Sequence, residues 1–277
     1  MKKFELTAES KINIFGKKLF RIKALISFGD VEEGETGGWI EKEENLEQSS
    51  GDAWVSGDAE VYDDAWVYGN ARVSGDAWVS GNARVYGDAW VYGNARVYGD
   101  AEVYGDARVY GNAWVYGDAE VSGDAEVYGD ARVSGDAWVY GNARVSGDAW
   151  VYGNARVYGD AEVSGNARVY GDARVYGNAR VYGDAEVYGD ARVSGDAEVY
   201  GNADYTTIHG FGTQFRTTTF FQCEDKQIRV SCGCFLGTIP EFREQVKNTR
   251  EGKIAEEYLM IADLMEKHFV KEKESGE

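Results

Sequence analysis

The stretch "GNARVYGDAWVYGNARVYGDAEVY", residues 81–104, repeats almost the same six letters four times. From Gly51 to Tyr200 the chain divides without remainder into 25 hexads of the form G-[D/N]-A-x-V-[Y/S], in which Asp63 alone replaces the leading glycine. A period this short, held over so many copies, predicts a solenoid in which each repeat packs against its neighbours.

Each hexad predicts one short strand and one corner. Small or apolar residues alternate with polar or large ones along A-x-V-Y, so we expect Ala and Val to face inward and the variable residue and the Tyr or Ser to face outward. Gly followed by Asp or Asn supplies the tight, positive-φ geometry of a corner. The 36 glycines of the chain, accompanied by one proline, therefore mark turns rather than a flexible linker.

Written from valine, the unit V-[Y/S]-G-[D/N]-A-x resembles the hexapeptide repeat of left-handed parallel β-helices, and the resemblance covers over half of the chain. It implies a mainly β fold in which three hexads form one triangular coil. The left hand is implied by the resemblance alone, since general crossover rules favour the right hand. The chain departs from the family after the aliphatic residue, where tyrosine mostly replaces a small or acidic residue.

The variable positions favour three hexads per coil over two. A step of 18 residues stacks identical residues in 3 of 22 pairs, whereas a step of 12 does so in 13 of 23. Alternation of Arg with Glu avoids like-charge repulsion along a column, and Arg beside Trp adds cation–π contacts. A step of six gives 3 of 24, so alternation between successive hexads explains part of this pattern.

The flanks predict caps, because the end coils of a solenoid expose strand edges and apolar cross-section. Residues 1–50 are expected to form a hairpin around Gly16 and capping coils, residues 51–203 the β-helix, and residues 204–277 a small α/β module. In that module "TTTFFQC" and "IRVSCGCF" predict a hairpin closed at "EDKQ". Thr238 and Glu241 predict the capping box of a first helix, and a second helix is expected from about Ile254.

Both flanks resemble those of uncharacterised hexapeptide-repeat proteins found in phages and bacterial genomes. The N-terminal likeness lies in "FGDVEEGETGGWIEKEENL", with its Gly37, Gly38 and Trp39. That group has no settled activity, so the resemblance implies an architecture and a phage-related origin and no reaction.

Charge and composition exclude several classes of function. The net charge of −19 repels phosphate backbones, so nonspecific binding of nucleic acid is not expected. There is no apolar run of about 18 residues that would span a membrane, and "MKKFELTAES" does not read as a signal peptide. Three cysteines without framework spacing fit a reducing compartment, and we therefore expect a cytoplasmic protein.

The chemistry-bearing residues argue against an enzyme. Many left-handed β-helices are acyltransferases, so the resemblance would imply a histidine that acts as general base beside the coils. The repeat contains no histidine, since His209 and His268 both lie beyond it. Two histidines are also too few for the three-histidine zinc site of the β-helical carbonic anhydrases. Cys223, Cys232 and Cys234 are interpreted as buried thiols, and the corner aspartates as turn residues rather than calcium ligands. No catalytic residue, cofactor or metal is predicted.

The outward aromatic residues of the repeat have two interpretations. Its 17 tyrosines and seven tryptophans either form ladders that stabilise the sheets or contact a partner. Trp78, Trp114 and Trp150 are the candidate partner-binding residues of the second interpretation, which predicts a homo-oligomer, most simply a side-by-side trimer.

A second candidate site is the segment "HGFGTQFR", residues 209–216. His209 is one of the two histidines, Gly210 and Gly212 allow close approach of a backbone, and Arg216 is suited to an anion. A protein partner or a small anionic ligand is the expected occupant.

These observations predict a non-enzymatic structural or binding protein, a rigid acidic rod that acts as a scaffold or sequesters another molecule. One alternative is an acyltransferase-like enzyme with its site near the C-terminal module. Another is an acidic DNA mimic, because the hexads carry 18 Asp and 7 Glu, although 11 Arg interrupt that negative field.

Overall fold

The computed structural model describes residues 2–223 and 225–269, so residues 270–277 of the predicted C-terminal module lie outside it. The chain begins with strands β1 (Phe4–Ile12) and β2 (Lys18–Ala24), which form an antiparallel hairpin. Its turn contains Gly16 at a φ of 78°, as the sequence predicts. Strand β3 (Thr36–Ile40) and a short 3₁₀ helix (Glu43–Asn45) lead into the repeat.

Each of the 25 hexads contributes one short strand that contains its variable residue and its valine. In chain order β4–β28 are Trp54–Val55, Glu60–Val61, Trp66–Val67, Arg72–Val73, Trp78–Val79, Arg84–Val85, Trp90–Val91, Arg96–Gly99, Glu102–Val103, Arg108–Val109, Trp114–Gly117, Glu120–Val121, Glu126–Val127, Arg132–Ser134, Trp138–Gly141, Arg144–Val145, Trp150–Val151, Arg156–Gly159, Glu162–Val163, Arg168–Val169, Arg174–Gly177, Arg180–Val181, Glu186–Val187, Arg192–Val193 and Glu198–Val199.

The strands stack as a parallel β-solenoid with three hexads per coil, which confirms the predicted fold class. Trp90 pairs with Arg72 on one side and with Arg108 on the other, so partners are 18 residues apart. Three sheets result: sheet I has 11 strands including β1–β3, sheet II has 9 and sheet III has 8. The left hand of the coil stays a prediction from the family resemblance.

The core of the rod consists of the alanine and valine of every hexad, none of which is more than 1% exposed. The predicted corners are also confirmed, since the leading glycines that the structure places at positive φ have values from 61° to 78°. A β-carbon at Gly105 would lie 3.0 Å from the backbone nitrogen of Gly123 in the next coil. Glycine is therefore required both for its conformation and for the close stacking of corners. Asp63 adopts a φ of 59° where the glycine is replaced.

The N-terminal segment covers the first coil. Trp54 was expected to face outward but is only 2% exposed, because the rings of Phe4 and Phe28 pack edge-on against it at 6.4 and 5.6 Å. Lys3 donates from Nζ to the carbonyl oxygen of Gly51 at 3.0 Å. A buried charge bound to the end of the rod in this way blocks further strand pairing.

The C-terminal head is a four-stranded antiparallel sheet and two helices. The elements are β29 (Tyr205–Phe211), β30 (Arg216–Gln222), β31 (Ile228–Cys232), β32 (Phe235–Thr238), α1 (Ile239–Thr249) and α2 (Gly252–His268). The hairpin β30–β31 matches the prediction, whereas β29 was not predicted as a strand. Neither α1 nor α2, the helices of the described residues, is long and apolar enough to cross a membrane.

Local signals located the helices well. Thr238 accepts a hydrogen bond from the backbone N–H of Glu241, whose carboxylate accepts from the backbone N–H of Thr238 at 2.7 Å, which confirms the predicted capping box. Helix α2 begins two residues before the expected Ile254. The head closes the rod with Phe221, which belongs to the same core as the alanines and valines of the coils.

The expectation that all three cysteines are buried holds for one of them only. Cys223 is buried, and its burial raises the pKa of its thiol to about 11. Cys232 is only half-buried, and Cys234 is exposed because it lies in the turn between β31 and β32 rather than in a strand. A hairpin closed symmetrically at "EDKQ" would pair Cys223 with Ile228, but in the structure Ile228 pairs with Gln222.

Candidate functional site

The tyrosines of the rod stack on their own copies in neighbouring coils. The rings of Tyr92, Tyr110 and Tyr128 have centroids 4.9 and 5.0 Å apart and planes that differ by 3° and 4°. Burial, and to a smaller extent the negative charge of Glu126, raises the pKa of Tyr110 to about 12. The stacking supports the interpretation of these residues as stabilising ladders.

The corners carry a second ladder, made by asparagine. Asn70 donates from Nδ2 to Oδ1 of Asp88 at 2.9 Å, and Asn82 donates to Asp100 at 2.8 Å. Every other asparagine of the hexads makes the same contact with the residue 18 positions on: Asn94, Asn112, Asn142, Asn154, Asn166 and Asn178. Within residues 2–223 and 225–269, no group of three or more His, Cys, Asp or Glu could hold a metal ion.

The three candidate tryptophans lie in one column of sheet I, separated by arginines. The guanidinium of Arg96 lies 4.5 Å from the ring centroid of Trp78 and 4.9 Å from that of Trp114. Arg132 lies 5.3 Å from Trp114 and 4.7 Å from Trp150 in the same way. Because guanidinium groups contact these indole faces, the column has favourable partners within the chain.

A groove of about 420 Å³ runs beside this column near the hairpin tip. It lies where Ser80 interrupts a tyrosine column and leaves a gap between Tyr62 and Tyr98. Phe15 of the hairpin packs edge-on against Trp78, with ring centroids 5.5 Å apart. The groove is aromatic, and its charged residues are already paired, since Lys17 forms ion pairs with Asp63 and Glu41.

Polar side chains of the last coil and of the head meet where the rod joins the head. A cavity of about 570 Å³ lies there, which we name the junction pocket. The last coil contributes Asp190 and Arg192 to it, and the head contributes His209, Phe215, Arg216, Thr217, Gly233 and Cys234. A cavity of this volume is in the range of small-molecule sites.

Two arginines meet at Gly233 in this pocket. Arg192 donates from Nη1 to the carbonyl oxygen of Gly233 at 3.1 Å. A β-carbon at Gly233 would lie 2.5 Å from Nη1 of Arg216, so the absence of a side chain gives the second guanidinium its place. Arg216 begins β30, is exposed and lines the junction pocket.

His209 is oriented by a polar chain that starts in the rod. Its Nδ1 lies 3.1 Å from Oγ1 of Thr217, and that hydroxyl donates to Oδ2 of Asp190 over a long 3.5 Å. Thr217 therefore accepts from Nδ1–H of His209 when it donates to Asp190, which leaves Nε2 as the acceptor. His209 and Thr217 lie on the neighbouring strands β29 and β30, so the sheet holds these two side chains together.

The two glycines of the segment 209–216 have different surroundings. Gly212 has a φ of 71°, and a β-carbon there would lie 2.6 Å from the hydroxyl of Tyr258, so this glycine makes room for α2. Gly210 has a φ of 91° and open space around it. Only residues 212–215 form the turn, in which Phe215 adopts a φ of 47° and is 65% exposed. Such strain in a non-glycine residue is typical of functional sites.

Sequence reasoning found His209 and Arg216 but missed Arg192, Thr217 and Gly233. Arg192 belongs to the repeat and was taken as one more outward side chain. One available signal was its column in sheet III, which places arginine on three successive strands, whereas the columns of sheets I and II have no two like residues in succession.

Comparison with known proteins concerns the rod. No curated protein matches the chain. The YdcK Beta solenoid repeat matches residues 65–81, 77–93, 89–105, 101–117, 125–141, 137–153, 149–163 and 173–189. Between residues 65 and 189, the rod is therefore similar to the YdcK beta-solenoid repeat family.

Proposed function

We propose that the protein is a non-enzymatic binding module, a rigid acidic rod whose junction pocket takes a small anionic ligand. The observation that carries the proposal is the convergence of Arg192 and Arg216 on Gly233. Two guanidinium groups within one cavity are the donors that bind phosphate or carboxylate with forked hydrogen bonds.

The contrast with the rest of the rod supports this assignment. Arg84 pairs with Glu102 and Arg168 pairs with Glu186, each at 3.1 Å between Nη1 and Oε1. Among the residues that the structure describes, by contrast, no carboxylate forms an ion pair with Arg216. The junction pocket contains two arginines, Arg192 and Arg216, against one carboxylate, that of Asp190, in a protein whose net charge is −19. An anion would supply the charge that these arginines lack.

Titration calorimetry with inorganic phosphate at low ionic strength tests the proposal. We expect binding by the intact chain and a loss of about tenfold or more in affinity for Arg216→Ala, because a charge-assisted hydrogen bond is removed. Arg180→Ala is the matched control, since Arg180 lies on sheet II and approaches Glu198 and Glu162. Absence of phosphate binding, or equal losses in the two variants, would contradict the proposal.

The chain Asp190–Thr217–His209 favours one second candidate, an acyltransferase-like enzyme. An imidazole held by a hydroxyl and a carboxylate is suited to general-base work. Incubation with an acyl donor such as acetyl-coenzyme A and a panel of amines and alcohols would reveal it as release of free thiol. That release should disappear in His209→Gln and persist in His268→Gln.

We also propose a side-by-side homotrimer through the tryptophan column of sheet I, in which Trp150 is 37% exposed. Sedimentation velocity should show a trimer that Trp78→Ser, Trp114→Ser and Trp150→Ser together weaken. A monomer at high concentration would leave the column as a stabilising ladder only. A phage-related origin and a cytoplasmic location remain part of the proposal.

A further inference from the structure

Sheet III ends in three stacked arginines. Arg156 pairs with Arg174, and Arg174 pairs with Arg192, on the successive strands β21, β24 and β27. Strands in a sheet are spaced about 4.8 Å apart, so the three side chains start from adjacent positions on one face. We name this set the arginine stripe. Its last member, Arg192, lines the junction pocket.

The arginine stripe is unfavourable by itself, because like charges directly opposite each other in a sheet repel. At its two ends the chain offers partners: Arg156 lies 4.9 Å from the ring centroid of Trp138, and Arg192 donates to Gly233. For Arg174, between them, the described part of the chain supplies neither an ion pair nor a cation–π contact.

The same level of the rod shows that the repulsion is not imposed by the repeat. On sheet II, Arg144 and Arg180 both approach Glu162, at 3.3 and 4.0 Å. On sheet I, Arg168 pairs with Glu186. A glutamate at position 174 would extend this arrangement to sheet III with the same hexad pattern. The stripe is therefore a local feature that an external anion would stabilise.

We propose that the arginine stripe extends the junction pocket into a site for a ligand with two or more adjacent phosphate groups. This inference rests on the proposed function, since it assigns the class of anion to the same pocket. Arg216 and Arg192 hold the first phosphate, and Arg174 and Arg192 hold the second. Consecutive guanidinium groups on adjacent strands match a linear series of negative charges better than a single ion does.

Two sources could supply this chemistry, namely inorganic polyphosphate and a nucleoside polyphosphate. Phe215, exposed at the rim of the pocket, offers a ring on which a base could stack. A nucleotide would use both the stripe and this ring, whereas polyphosphate would use the stripe alone.

Calorimetric titrations of the full chain with phosphate, pyrophosphate and tripolyphosphate at one low ionic strength test the inference. We expect pyrophosphate to bind about tenfold or more tightly than phosphate, because further charge-assisted hydrogen bonds form. Arg174→Gln should remove this gain, so that pyrophosphate binds the variant no more tightly than phosphate does. Arg180→Gln, one hexad further along on sheet II, is the matched control and should keep the gain.

The outcomes separate the inference from the proposed function. Phosphate binding without a gain for pyrophosphate, or a gain that Arg174→Gln retains, would overturn the inference and leave the pocket as a site for single anions. Failure of every anion to bind would overturn both. ADP that binds more tightly than pyrophosphate, with the difference lost in Phe215→Ala, would identify the nucleotide, and equal affinities would identify the polyphosphate.

A stability measurement accompanies these titrations and shows that the variant is folded. Without ligand, Arg174→Gln should melt at or above the temperature of the unchanged protein, because it relieves repulsion. Arg168→Gln should melt lower, since it breaks the ion pair with Glu186. A lower melting temperature for Arg174→Gln would show that the stripe is stabilised within the chain and would count against the inference.

Discussion

The rod and the head are stabilised by different kinds of contact. In the rod, a side chain meets its own copies: Tyr110 stacks between Tyr92 and Tyr128. In the head, each side chain has partners of its own. Phe242 meets the rings of Phe220, Phe235 and Tyr258 at 6.2, 5.5 and 5.8 Å, and none of these contacts recurs.

This difference explains where the candidate site lies. A repeat that pairs tyrosine with tyrosine, arginine with glutamate and asparagine with aspartate uses its polar groups internally, so it leaves little chemistry for a ligand. The last coil has no next copy with which its side chains can pair. Arg192 instead donates a hydrogen bond to Gly233 of the head, and Arg216 and His209 of the head line the cavity beside it.

The largest expected effect comes from a charge in the core of the rod. Ala89→Glu and Ala143→Glu should each destabilise the protein by more than about 4 kcal/mol, because an unpaired carboxylate is buried between coils. Both alanines are 0% exposed, and equivalence of the repeats predicts similar losses. Trp90→Glu is the control, because Trp90 is next in sequence but 52% exposed and pairs in the sheet with Arg72 and Arg108. Chemical denaturation measures all three, and a tolerated Ala89→Glu would contradict the inward orientation.

A substitution in the head should act on the head alone. Phe242→Ala should cost about 3–5 kcal/mol of local stability, because it removes the central ring of a cluster and leaves a cavity. Calorimetry should then show an early transition for the head, with the transition of the rod nearly unchanged. Leu264→Ala, at a side chain that is 59% exposed on α2, should have little effect. Loss of both transitions together would show that rod and head unfold as one unit.

Alanine substitutions at two glycines distinguish the cost of a positive φ from the cost of close stacking between corners. Gly189→Ala should cost about 1–2 kcal/mol, since its φ is 63° but nothing lies within 4 Å of an added β-carbon. Gly105→Ala should cost more than that, because the added carbon also approaches Gly123 at 3.0 Å. Gly201→Ala, with neither constraint, should be nearly neutral. Equal losses for Gly105→Ala and Gly189→Ala would show that the stacking distance does not matter.

A gap in a tyrosine ladder offers a gain of stability. Ser134 lies between Tyr116 and Tyr152 in its column, and it pairs directly with Tyr116. Ser134→Tyr should stabilise the rod by about 1 kcal/mol, because it restores two ring contacts. Thermal denaturation measures the gain, and Ser134→Ala serves as the control that changes the residue without adding a ring. A destabilised Ser134→Tyr would mean that the gap is needed for another contact.

Alkaline pH should weaken the rod through the same ladders. The pKa of Tyr110 is about 12 in the folded protein against an ordinary value of 10.0, so the unfolded chain loses its proton first. The stability that the protonated ring contributes is therefore complete below about pH 10 and is lost as the pH rises to 12. Unfolding measured across this range should show a smaller loss for Tyr110→Phe. An absorbance titration of the native protein in which all tyrosinate forms near pH 10 would contradict it.

The sequence by itself determined the solenoid, its register and its core. A period of six residues determines which side chains are buried. Few variable residues 18 positions apart are identical, and this pattern favoured three hexads per coil. Local signals sufficed for the helix start at Thr238, since a capping box is made by residues three positions apart. Each of these features depends on neighbours in sequence or on copies of the same residue.

Only the tertiary structure decided which residues share the junction pocket. Arg192 and Gly233 are 41 residues apart, and their contact depends on how the head sits on the last coil. The burial of Trp54 depends in the same way on Phe4 and Phe28, which belong to a different segment. Such contacts join elements whose relative placement is set by packing of the whole chain, and no period along the sequence records that placement.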